Sequence, residues 1–243
     1  LEVDRGCQQL KGENFVNDGK QLVYHEQENG KRIQWHTLSV PRGGEYKLVL
    51  ADGTRVWLNA ASELMYPDHF SADQRKVVLK GEAYFEVTKD VKRPFSVVLG
   101  DMEVKVLGTS FNVSAYPGVK RQTTLIEGQV AVNWHRQQVV IRPGQQAAET
   151  DEGLRVASVN VMNYVGWKEH RFVYENKLLG EVLEDLERWY DVEVFVMHDE
   201  IRNLHLTANL PRYENMDKVL EIIEYAACVK FEVKGRTVVV RRD

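Results

Sequence analysis

Between Pro41 and Tyr116 the chain alternates apolar and polar residues in short runs broken by turn-forming residues, and no helical period runs through them. In Met102–Val106 the period is two: Met102, Val104 and Val106 point one way, Glu103 and Lys105 the other. Tyr46–Leu50 and Arg55–Leu58 flank Asp52-Gly53, where glycine reaches a positive φ without a Cβ clash and aspartate tolerates the left-handed region, so a tight hairpin is expected. The same grammar recurs in Gly81–Val87 and Gly108–Val113.

The pattern extends from Lys20 to about Val161. Expected strands include Lys20–His25, Lys31–His36, Lys76–Lys80, Phe95–Leu99, Arg121–Ile126, Gln129–Trp134 and Gln138–Ile141, punctuated by Pro117-Gly118 and Glu127-Gly128. Either an all-β sandwich or a solenoid-like coil of strands would bury this alternation, and periodicity does not choose between them.

The tail is different. Leu178, Leu179, Val182, Leu183, Leu186 and Trp189 recur at helical spacing with acidic residues opposite, and Met216, Val219, Leu220, Ile222, Ile223 and Ala226 form a second such stripe. Asn176 and Asn215 precede the two runs as expected N-caps. Each helix is followed by a strand, Val192–Met197 and Val229–Val233. Tyr174-Glu175-Asn176 recurs as Tyr213-Glu214-Asn215, and Val182, Leu183, Glu187 and Val192 fall on Val219, Leu220, Glu224 and Val229. A duplicated strand–helix–strand unit accounts for this register. Arg171–Tyr174 and Leu204–Ala208 are the expected first strands of the copies, with Thr237–Arg241 as a last one. A small sheet carrying both helices on one face is expected, because each helix has one apolar stripe to bury.

The 243 residues carry 32 basic and 36 acidic side chains. No cluster of Lys or Arg marks a nucleic-acid footprint. No apolar run approaches the roughly 18 residues that span a bilayer. The chain opens on Leu1 with no leader, and is expected to be the soluble piece of something longer. Cys7 and Cys228 provide no disulfide framework, and Cys228 is expected to be a buried thiol at a helix-to-strand junction. The histidines lack metal spacing; His198, Asp199 and His205 come nearest, and a surface turn is the plainer account. Glu82 and Glu86 share a strand face roughly 13 Å apart at about 3.3 Å per residue. That exceeds the roughly 5–10 Å of paired glycosidase acids, so a solvent-facing charged row is expected. Trp57, Tyr66, Tyr84, Phe85, Phe111 and Tyr116 are expected in the core, with a sugar-stacking platform as the alternative. No catalytic residue, cofactor site or metal site is expected, and the chain is read as a binding protein, not an enzyme.

Asp52-Gly53-Thr54, Trp57-Leu58-Asn59, Gly81–Val87, Gly108–Val113, Glu127-Gly128, Pro143-Gly144-Gln145-Gln146 and Trp167, in that order, resemble the periplasmic part of the FecR family, transmembrane anti-sigma regulators, in its Bacteroides-like version. The duplicated tail resembles the short domain of secretins and of TonB-dependent transducers. The resemblance implies three segments: a flank over 1–36, a FecR-like all-β domain over 37–166 and a small α/β signalling domain over 167–243. It further implies a periplasmic location, as the soluble part of an inner-membrane protein. The signalling domain of a TonB-dependent outer-membrane receptor would dock here, and an extracytoplasmic sigma factor would be reached only through a cytoplasmic segment outside this chain. Nucleic acid and direct membrane contact are not expected. A periplasmic glycan-binding module is the alternative. Within the tail, Thr237, Val238, Val239 and Val240 are an apolar terminal strand flanked by Arg236 and Arg241. They are read as a partner-binding edge, with an interior strand weighed equally. Trp167 is the expected interdomain anchor.

Overall fold

The computed structural model describes residues 10–11, 15–17, 21–24, 32–213 and 215–243. Two units divide it, one ending at Val161 and one beginning at Met162. Cys7, and any pairing of it with Cys228, lies outside the described residues, as do Lys20, His25 and Lys31 of the expected strands.

Among the described residues the first unit has sixteen strands. In chain order they begin with β1 (Leu10–Lys11), β2 (Phe15–Asn17), β3 (Gln21–Tyr24), β4 (Trp35–Val40), β5 (Tyr46–Val49), β6 (Arg55–Leu58), β7 (Ser62–Pro67) and β8 (Arg75–Glu86). They continue with β9 (Phe95–Leu99), β10 (Met102–Val106), β11 (Ser110–Ala115), β12 (Gln122–Glu127), β13 (Val130–Trp134), β14 (Gln137–Ile141), β15 (Gln145–Thr150) and β16 (Gly153–Ser158). The Asp52-Gly53 hairpin forms as expected: Gly53 sits at φ 81°, and the Asp52 carboxylate accepts from the Thr54 N–H at 3.0 Å.

The long strand β8 belongs to two layers. Its first half pairs with β7 and β9, its second half with β6 and β11. One layer runs β4-β7-β8-β9-β10-β13-β14 and the other β1-β2-β3-β5-β6-β8-β11-β12-β15-β16. Gly81 lies where β8 passes between them, at φ 90°, and a Cβ there would meet the Ser62 Cα at 2.7 Å. Leu48, Val56, Leu58, Phe85, Phe95, Val97, Val104, Phe111 and Leu125 are fully buried between the layers. Among the described pairings of this unit only β3 with β5 and β8 with β9 are parallel. A solenoid stacks parallel coils, so the sandwich is the alternative that holds. The strand expected over Lys31–His36 starts later, at Trp35, because inward-facing Leu38 and Val40 complete its buried face and pair with β7.

The second unit opens with α1 (Met162–Val165) and a 3-10 turn over Gly166–Glu169 that holds buried Trp167. Then come β17 (Arg171–Leu178), α2 (Leu179–Tyr190), β18 (Glu193–Val196), a 3-10 turn Asp199–Asn203, β19 (His205–Pro211), α3 (Met216–Ala227), β20 (Val229–Lys234) and β21 (Thr237–Arg242). The duplicated strand–helix–strand order is present, but the strands form two sheets instead of one: β17 pairs with β19, and β18, β21 and β20 form the other. Each helix packs on strands of both sheets. Leu183, Leu186, Leu220 and Ile223 share one core with Phe172, Tyr174 and Leu206 of one sheet and Val238 and Val240 of the other. Apolar stripes met by two sheets need no single wide one.

Two local expectations are corrected. Asn215 caps α3, its side chain accepting from the Asp217 N–H at 2.8 Å, but Asn176 caps nothing: it sits at φ 50° in a bulge of β17. β17 runs on to Leu178, so α2 starts later, with the Leu179 N–H donating to the Leu204 carbonyl. Cys228 is exposed, not buried, because it occupies the left-handed position that ends α3, at φ 51°.

Candidate partner-binding surface

The three-stranded sheet decides where a partner strand could add. β21 lies in its middle, parallel to β18 through Val194–Val238 and Val196–Val240, and antiparallel to β20 through Glu232–Val239. The reading of Thr237, Val238, Val239 and Val240 as an open edge is therefore corrected: both sides of that backbone are taken. The strand order follows from the duplication, because the second copy's strand β20 turns at Gly235 into β21, which inserts beside the first copy's β18. Arg236, read as a guard of that edge, instead donates to the Asp191 carbonyl at 3.0 Å and to its carboxylate at 2.6 Å, and Arg241 lies within the strand, opposite Lys230.

The outer strands are β18 and β20, and the repeat equips both in the same way. The Glu187 carboxylate accepts from the Val194 N–H at 2.8 Å, and the Glu224 carboxylate accepts from the Phe231 N–H at 2.7 Å. Both helices end in a left-handed residue, Asp191 and Cys228, whose N–H returns to the carbonyl of that same glutamate. Glu187 and Glu224 correspond in the repeat, and that register was the available signal; their role becomes visible only once the strands they cap are known to be outermost.

The two outer strands differ in their side chains. β20 carries Lys230, Glu232 and Lys234, whereas β18 carries one charge, Glu193, and leads into Met197. Phe195 is 56% exposed and Met197 61% exposed. Tyr225 on α3 stands 91% exposed.

Elsewhere several titratable groups are occupied with one another. Asp185 accepts from Lys177 at 2.7 Å and from Arg188 at 2.6 Å. Burial raises the Asp185 carboxyl, but the two cations outweigh it and hold its pKa below the usual value. Burial pushes the Tyr174 hydroxyl well up, assisted by Asp185. An open cavity of about 510 Å³ in the first unit is lined by Leu79, Tyr116, Val119, Arg121 and Glu149 among others. Arg121 there bonds Glu149 and Asp101, which lowers both carboxyl pKa values, and its charge is met inside the fold.

Glu82 is not a plain solvent-facing charge: it accepts from Asn59 at 2.7 Å and Asn112 at 2.9 Å, while Glu86 pairs with Arg55. Tyr66, Phe85 and Phe111 are fully buried and Tyr84 and Tyr116 nearly so, which leaves half-buried Trp57 of the expected aromatic group. No group of three metal-binding side chains converges among the described residues. No described helix is long and apolar enough to cross a membrane.

Two family models match the chain in order: "FecR protein" over residues 36–131 and "FecR, C-terminal" over residues 171–240. Two crystal structures of a candidate anti-sigma factor from Parabacteroides distasonis ATCC 8503 share the fold. One, at 1.65 Å, has a TM-score of 0.80 and 26% identity, covering 86% of this chain and 99% of that one. The other, at 2.50 Å, has a TM-score of 0.81 and 26% identity, covering 86% of this chain and 100% of that one. No curated protein matches the sequence significantly. The sandwich followed by the duplicated α/β unit is that of a signalling regulator of the anti-sigma type. The chain belongs to the FecR family.

Proposed function

We propose that this chain is the periplasmic signalling portion of a membrane-anchored FecR-type regulator of the Bacteroides kind. It receives a signal from a TonB-dependent outer-membrane receptor by protein–protein contact and controls an extracytoplasmic sigma factor through a segment outside this chain. The carrying observation is the FecR and FecR C-terminal segments in order, the second one folding into a unit whose sheet leaves two strands outermost. The similarity to a Parabacteroides protein supports the Bacteroides kind. A binding surface transmits a message only if its affinity differs between receptor states. The docking domain must therefore be presented differently when the receptor holds its external ligand.

The test is a binding titration of this chain against the purified signalling domain of a TonB-dependent receptor from the same genome, paired with a sigma-dependent reporter in cells. Saturable one-to-one binding, with a reporter that no longer answers the receptor when residues 162–243 are deleted, is expected. Absence of binding together with an unchanged reporter response refutes the reading.

A further inference from the structure

We infer that β18 is the edge at which the receptor's signalling domain adds a strand, and that Glu187 is a latch holding that edge closed until it does. The inference rests on the receptor contact proposed above and names its site and its regulation.

The backbone selects the place. Glu193 N–H donates to the Arg236 carbonyl at 2.8 Å and Met197 N–H to the Val240 carbonyl at 2.9 Å. In a parallel pair such bonds come from alternate residues, so Val194 and Val196 turn their peptide groups away from β21, toward the outer side. The Val194 N–H found there is held by Glu187. An incoming strand must take that N–H for its own carbonyl, exchanging a carboxylate acceptor for a peptide one.

Side chains separate β18 from β20. The row Lys230, Glu232 and Lys234 along β20 discourages indiscriminate pairing. β18 lacks this protection: Phe195 and Met197 are more than half exposed, while Val194 and Val196 pack on the core. The charges along its own segment are also of one sign. From Val192 to Ile201 the chain holds Glu193, Asp199 and Glu200 and no Lys or Arg, and all three carboxylates are exposed. The occupant these features fit is an extended strand with apolar side chains at alternate positions, to cover Phe195 and Met197, and with Lys or Arg at its ends. The released Glu187 adds one more carboxylate for a basic end to meet.

Four chains compared by calorimetric titration against that receptor domain test this: wild type, Val196→Pro, Val233→Pro and Glu187→Ala. Proline at 196 removes an outward N–H without touching the ladder to β21, and is tolerated on an outer strand. It should weaken binding about tenfold, the loss of one backbone hydrogen bond. Val233→Pro blocks the β20 edge and should bind as wild type. Glu187→Ala opens the latch and should bind about tenfold tighter, with Glu187→Gln between. Should Val196→Pro unfold, Phe195→Lys and the pair Glu193→Lys with Asp199→Lys, all at exposed positions, should still weaken binding, the pair also flattening its salt dependence. Wild-type binding that Val233→Pro abolishes and the β18 changes spare overturns the edge assignment while the receptor contact stands. Unchanged affinity in Glu187→Ala overturns the latch. A wild-type chain that does not bind overturns the receptor contact and this inference with it.

Discussion

The carboxylate of Asp52 accepts a hydrogen bond from the guanidinium of Arg75 at 2.8 Å, and the Arg75 side chain is wholly withdrawn from solvent. The same guanidinium donates to the carbonyls of Thr88 and Arg93 and lies 5.6 Å from the centre of the Phe95 ring. Asp52 thus does two things: it shapes the hairpin through Thr54 and neutralises a cation inside the sandwich. Removing one member of a buried pair strands the other. Asp52→Asn should cost about 3 kcal/mol, read as a lowered denaturant midpoint for the first unit. Adding Arg75→Met should recover part of the loss, because the stranded charge is then gone. A double variant less stable than Asp52→Asn alone would show that the bonds to Thr88 and Arg93 outweigh the charge.

Gly81 faces Ser62, its backbone as well as its short side chain. Its positive φ and the Ser62 Cα at 2.7 Å from a Cβ position both oppose substitution. Gly81→Ala should cost about 3 kcal/mol, from left-handed strain and overpacking together. Thermal unfolding measures it, and a midpoint within a degree of wild type would refute the account.

Asp185 links the second unit's stability to pH. Its carboxyl is held below the ordinary value in the folded chain by Lys177 and Arg188, against the burial that raises it. The unfolded chain therefore takes up this proton first as pH falls. The stabilisation is fully present above about pH 4, the unfolded value, and is lost as pH drops through the folded one. Asp185→Asn should be less stable at neutral pH and should lose less on acidification. Unfolding midpoints of both chains between neutral and about pH 3 make the comparison, and parallel curves would contradict it.

The exposed Cys228 should react with a thiol reagent in the native state. In a Cys7→Ser background one thiol should label at the same rate with and without mild denaturant. Labelling only on unfolding would place the side chain inside instead. Cys228→Ser should leave stability within about 0.5 kcal/mol, as surface changes do.

Much of this was legible along the chain. Period-two runs placed Phe95–Leu99 and Met102–Val106 as strands with their apolar faces inward, and the two helical stripes of the tail supply the buried faces of α2 and α3, although Ile222 and Ala226 of the second stripe are exposed. The repeat of Glu187 in Glu224 and Val192 in Val229 was also visible. Asn176 misled because a capping side chain works only beside the first helical turn, and here β17 continues past it. Cys228 misled because an apolar neighbourhood in sequence says nothing about a left-handed backbone that turns a side chain outward.

Local sequence by itself determined which residues face inward, where turns fall, and that the tail is a doubled unit, because these depend on side-chain periodicity and short-range backbone sterics. Tertiary structure alone decided which strands are neighbours. Hydrogen bonding between strands joins residues distant in sequence, and alternation is the same for an edge strand as for a central one. For this reason Val239 lies in the middle of its sheet and Phe195 stands at its margin, with Glu187 and Glu224 each on an outward N–H of an outer strand.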